Sequence, residues 1–179
     1  LVRIFQAKFT KQLAYTLAIL TVGFFVGNTF NFNKGSSIES LNVAQSETEN
    51  VRSQLVLTLL EQPSANKRLQ AVNEVSKLSS VTKTITNALF STLNSDTNVN
   101  VRLSAIEALS NYTKIPEVRE GLIASIIHQK SPMVQIALAD LMVKLQEKKA
   151  VKSFKRLIDE KGVNASAKQK MQESIQQII

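Results

Sequence analysis

Hydrophobic and polar residues divide the chain into two unlike stretches. Residues 13–32 read LAYTLAILTVGFFVGNTFNF without a charged side chain, and the strongly apolar part is 13–27. Twenty residues of helix match the thickness of a bilayer hydrocarbon core, and a helix pairs its own backbone groups there. The pattern therefore predicts one transmembrane helix over 13–32, with Phe30 and Phe32 at the far interface. A cleaved signal peptide has the same basic start and apolar run, but Gly27-Asn28-Thr29 makes a poor cleavage site. Residues 33–45, NKGSSIESLNVAQ, are small and polar and read as a tether, so the segment 33–46 separates the span from the C-terminal stretch.

From about Ser46 onward the apolar residues fall at helical spacing, and the spacing repeats. With Arg68, Arg102, Gln135 and Lys168 as anchors, the intervals are 34, 33 and 33 residues. Three residues beyond each anchor stand Ala71, Ala105, Leu138 and Met171. Four beyond stand Val72, Ile106, Ala139 and Gln172. Seven beyond stand Val75, Leu109, Met142 and Ile175, and ten beyond stand Leu78, Tyr112, Leu145 and Ile178. Offsets of 3, 4, 7 and 10 trace one face of a helix. Each such helix follows another, predicted over roughly 48–62, 82–94, 116–128 and 148–160. The expected inward residues of those first helices are Leu55 and Leu59, Ile85 and Leu89, Leu122 and Ile126, and Phe154 and Leu157. Ser131-Pro132 reads as an N-cap with proline at the first helical position, Asp96 and Asn164 as further caps, and Gly162 as a helix end. A single helix pair cannot bury its apolar stripe, so the pairs are expected to stack. The prediction is an all-α chain: a short α-solenoid of about four helix pairs over 47–179, after one transmembrane helix. Gln169 and Gln172 suit a polar terminal repeat.

Composition sharpens this picture at three points. Scarce Gly (5) and Pro (3) argue against a turn-rich β fold. Cys is absent and His128 is the only histidine, which excludes the usual zinc frameworks. The formal charge is +8, from 22 bases and 14 acids. Three of the bases, Arg3, Lys8 and Lys11, precede the apolar run with no acid among them. Basic flanks stay in the cytoplasm, so 1–12 is expected to be a short cytoplasmic segment of an inner-membrane protein whose C-terminal domain lies outside the cytoplasm.

The run Asp96-Thr97-Asn98-Val99-Asn100-Val101-Arg102-Leu103-Ser104-Ala105-Ile106-Glu107-Ala108-Leu109 resembles a HEAT repeat, and Ser131-Pro132-Met133-Val134-Gln135-Ile136-Ala137-Leu138 resembles a drifted copy with Gln135 in place of the usual arginine. The resemblance covers about 50–179. Apolar span, polar tether and repeats together are similar to bacterial membrane-anchored HEAT-repeat proteins, many of which carry a zinc-finger anti-sigma domain before the span. That resemblance implies a HEAT-type solenoid and a part in transmembrane, anti-sigma-like regulation. Residues 1–12 contain no Cys or His, so the zinc finger has no counterpart in them.

The side chains show no nucleophile–base pair, no phosphate-cradling glycine loop and no metal cluster. The expectation is a non-enzymatic module without cofactors that binds a protein partner. Its candidate face comprises the positions read as solvent-facing on the second helices: Gln70, Asn73, Lys77, Ser104, Glu107, Asn111, Gln135, Asp140 and Lys144. Arg68 and Arg102 are expected to brace neighbouring repeats, and His128 to sit at a helix C-terminus. Residues 144–179 hold nine bases and four acids, a balance suited to a solvated terminal helix or to an anionic partner. A HEAT-like nucleic-acid-binding or DNA glycosylase-type domain is the alternative. It is disfavoured by the absence of Trp for gripping a base and by the mixed signs of the candidate face.

Overall fold

The computed structural model describes residues 34–78 and 80–179, with side chains from residue 46. The chain divides into two compact units, 1–48 and 49–179. The predicted span 13–32 and the basic segment 1–12 lie outside the described residues. Among the described residues no helix is long and apolar enough to cross a membrane.

Everything described is helical or turn, with no strand, as the apolar spacing requires. The helices are α1 (Lys34–Leu60), α2 (Ala65–Val75), α3 (Lys83–Ser95), α4 (Val99–Ser110), α5 (Pro116–Ser125), α6 (Pro132–Leu145), α7 (Ala150–Ile158) and α8 (Ala165–Ile178), with a 3₁₀ turn at Ile126–His128 after α5. Helical backbone begins at Lys34, inside the segment read as a tether.

Local chemistry explains most of the ends. The Thr82 hydroxyl accepts from the Ile85 N–H and starts α3. The Asn98 side chain accepts from the Asn100 and Val101 N–H groups and starts α4. Asn164 does the same for Ser166 and Ala167 at α8. Proline opens α5 and α6, where a missing N–H costs nothing. Gln146 ends α6 in the left-handed region at φ 50°, and Gly162 takes φ 89° between α7 and α8. The cap of α4 corrects the sequence reading: Asp96 is the C-cap of α3, and Asn98 two residues later performs the capping. Ser131 stands at the N-cap of α6, but its side chain makes no capping bond.

In the unit 49–179 the helices form two rows. In one row α2 packs on α4, α4 on α6 and α6 on α8; in the other α3 packs on α5 and α5 on α7. The rows meet at α3 with α4, α4 with α5, and α7 with α8. The core lies between them. Ile85, Leu89, Leu93, Leu122, Ile126, Phe154 and Leu157 enter it from one row, and Val75, Leu109, Leu138, Met142, Met171 and Ile178 from the other. Every residue at the third offset, Ala71, Ala105, Leu138 and Met171, is fully buried. At the fourth offset Val72, Ile106 and Ala139 are buried and Gln172 is exposed, so the stripe weakens where the row ends. In α1 the inward residue is Val56; Leu55, expected inside, is 45% exposed, and Val51 is 66% exposed. Within this unit α1 gives Val56 to the core and leaves the Val51–Leu55 side exposed.

Candidate functional site

Two polar assemblies arise from this packing. The first runs through the turns. Arg68 on α2 donates from Nε and Nη2 to both carboxylate oxygens of Asp96, at 2.6 and 2.9 Å, while its Nη1 donates to the Gln62 and Pro63 carbonyls. Planar guanidinium and carboxylate match in a two-bond fork. Asp96 also accepts from the Asn98 N–H at 2.8 Å. Burial works to raise the Asp96 carboxyl, but the Arg68 fork, the Asn98 N–H and the nearby Arg102 charge outweigh it and hold it below the usual carboxylate range. A weaker counterpart stands one step on, one long bond in place of the fork, with Arg102 Nε buried and unpartnered. Arg102 Nη1 donates to Gln129 Oε1 at 3.4 Å, and Gln129 Nε2 donates to the Asn94 side chain and to the Ser125 carbonyl. Asp96 and Gln129 each stand six residues before an anchor of the repeat, Arg102 and Gln135.

The third step fails, for a reason visible in the sequence. Gly162 stands six residues before Lys168 and has no side chain to offer Gln135. Gln135 keeps the bond to the carbonyl six residues earlier, donating to Gln129 at 2.8 Å as Arg68 donates to Gln62. A cavity of about 340 Å³, lined by Gln135, Lys161, Gly162 and Asn164 among others, stands beside it. Gln135 is only 4% exposed and does not belong to the solvent-facing surface; as an anchor it shares the inward face of α6 with Leu138, Ala139 and Met142, three, four and seven residues on.

The second assembly lies on the exposed side of α2 and α4. Asn73 and Ser76 from the α2 end, with Ser104, Glu107 and Asn111 from α4, line a cleft of about 90 Å³ floored by Val72 and Ala108. Four of the residues read from the sequence as a binding face, Asn73, Ser104, Glu107 and Asn111, thus come together. The cleft forms because Ala108 and the two serines are small, which leaves room between neighbouring helices. Ser76 was not foreseen; it lies in the turn after α2, where a helical projection does not reach. A volume of this size is well below the roughly 300–1,000 Å³ of a small-molecule site, so the cleft suits one inserted side chain. The charged residue of its wall is Glu107.

The remaining candidates stand elsewhere. Gln70 is exposed on α2. Lys77 pairs with Glu74 at 2.6 Å, and Arg52 Nη1 donates to the Lys77 carbonyl. Asp140 on α6 pairs with Lys170 on α8, which raises the Lys170 ammonium above its ordinary range, and Lys144 is exposed on α6. His128 is exposed at the end of the 3₁₀ turn. Among the described residues no group of three or more His, Cys, Asp or Glu side chains is placed to hold a metal ion.

No protein-family model matches the chain, and no curated protein matches it in sequence.

Proposed function

We propose that the chain is a membrane-tethered α-solenoid of the HEAT type that holds a protein partner on the exposed side of its second helices. In this reading 13–32 anchors it as a single span, 49–179 lies outside the cytoplasm, and the chain has no catalytic activity of its own. A role in transmembrane regulation of the anti-sigma kind rests on the resemblance of its repeats and span. The observation that carries the proposal is the cleft between α2 and α4. It gathers Asn73, Ser104, Glu107 and Asn111, offers amides, hydroxyls and one carboxylate, and is sized for a single side chain. Glu107 makes a basic side chain of the partner the natural occupant. The mixed signs fit a protein better than a phosphate backbone, which favours uniform positive charge.

The test uses the full chain in membranes, with a photo-crosslinking residue in place of Asn111. The expected result is a discrete crosslinked protein that is lost with Glu107→Lys, while circular dichroism shows unchanged helicity. A crosslink indifferent to Glu107→Lys overturns the cleft as the binding site. Tight duplex-DNA binding that persists at high salt moves the protein to the nucleic-acid class. A topology reporter fused after Ser46 is expected to signal from outside the cytoplasm, and a cytoplasmic signal reverses the orientation.

A further inference from the structure

A second surface stands apart from that cleft. α7 turns Ala150, Phe154 and Leu157 into the core. Its outer side and the turn before it carry Lys148, Lys149, Lys152 and Lys155, all exposed, which with Val151 line one shallow, open groove. Lys152 and Lys155 stand three apart on one face of the helix, and Lys148 and Lys149 in the turn before it border the same groove. The helix itself contains no acid. Of the acids before it, Glu147 pairs with Arg119 at 3.6 Å and Glu120 faces Lys149 at 3.5 Å; Asp159 and Glu160 follow its C-terminal end. Among the described residues Lys148, Lys152 and Lys155 have no ion-pair partner.

We propose that this lysine face lies on an anionic lipid surface. The inference uses the membrane attachment proposed above but does not need the α2–α4 cleft. The chemistry favours lipid over nucleic acid on three grounds. Nine residues of helix span only about 14 Å, too short for the long run of phosphate contacts that tight duplex binding requires. The face has no aromatic residue on which a base could stack. A lipid headgroup layer needs no fixed register, so a few flexible ammonium groups around the apolar Val151 suffice, each worth about fivefold in partitioning. A chain tethered to the bilayer meets that surface at high effective concentration, which makes so small a patch effective.

The experiment measures lysine acylation by mass spectrometry on the full chain in lipid discs of phosphatidylcholine alone or mixed with phosphatidylglycerol. Retention in the phosphatidylcholine discs reads the span independently. The expected result is severalfold slower acylation of Lys148, Lys152 and Lys155 in the anionic discs, unchanged Lys67 and Lys83, and loss of the difference at high salt. Lys152→Glu with Lys155→Glu removes the protection of Lys148; both positions are exposed, and unchanged helicity confirms the fold. Equal rates in the two kinds of disc overturn the proposal. So does protection by duplex DNA without protection by phosphatidylglycerol. A chain not retained in phosphatidylcholine discs, yet protected on added phosphatidylglycerol vesicles, removes the span and leaves the lysine face standing.

Discussion

Gly121 shows how one residue sets the spacing of two helices. A Cβ built there would stand 2.7 and 2.8 Å from the Cε atoms of the Phe90 ring and closer still to its tip. The ring of α3 thus lies flat against a helix turn of α5 that only glycine leaves open. Gly121→Ala brings two opposed effects. Alanine is the better helix former by about 1 kcal/mol, while forcing the ring aside costs roughly 1–3 kcal/mol. Phe90 is half-buried and its neighbours hold it, so the packing loss is expected to prevail, with a net destabilisation of about 1 kcal/mol in urea denaturation. The sign should reverse in a Phe90→Ala background, where only the helix-propensity gain remains. A destabilisation that persists there contradicts this account of the glycine.

At the scale of the element, the start of α4 separates two neighbouring side chains that look equivalent in the sequence. Asp96 and Asn98 both suit an N-cap. Asn98 makes the capping bonds, and Asp96 is drawn to Arg68, 28 residues earlier in the chain. Asn98→Ala is expected to cost about 0.5–2 kcal/mol, the usual loss of a cap. The Arg68–Asp96 fork should remain intact, visible as an unaltered acid midpoint once the lower overall stability is allowed for. A fully silent Asn98→Ala would mean that Asp96 had been the effective cap.

For the whole molecule, the Arg68–Asp96 contact joins successive helix pairs and ties stability to pH. Asp96 is held below its ordinary range when folded. Its stabilising contribution is therefore complete above the unfolded value of about 4 and is lost as pH falls through the lower folded value. Thermal unfolding is expected to weaken below about pH 4 in the native chain, and Asp96→Asn should flatten that part of the profile while lowering stability at neutral pH. A native profile that matched the variant's in this acid range would remove the pair from the acid response. The effect is confined to the junction of α2, α3 and α4, because the next step uses the uncharged Gln129 and the one after it has no side chain.

The all-helical character, the anchors at 34 and 33 residues and the buried stripe, at the third offset in all four repeats and at the fourth and seventh in the first three, were legible because they are local. A helix repeats every 3.6 residues, and an apolar residue at each inward position announces itself without knowledge of its neighbours. Asn164 as a cap and proline at the head of α6 are legible for the same reason. Tertiary structure alone decided the rest. Val56, not Leu55, is the residue α1 buries, because which side of a helix is covered depends on what packs against it. Asp96 left the cap for an arginine distant in sequence. The cleft of Asn73, Ser104, Glu107 and Asn111 exists only because α2 and α4 lie side by side, and a helical period records what faces inward, not which outward side chains from different helices come to share a wall.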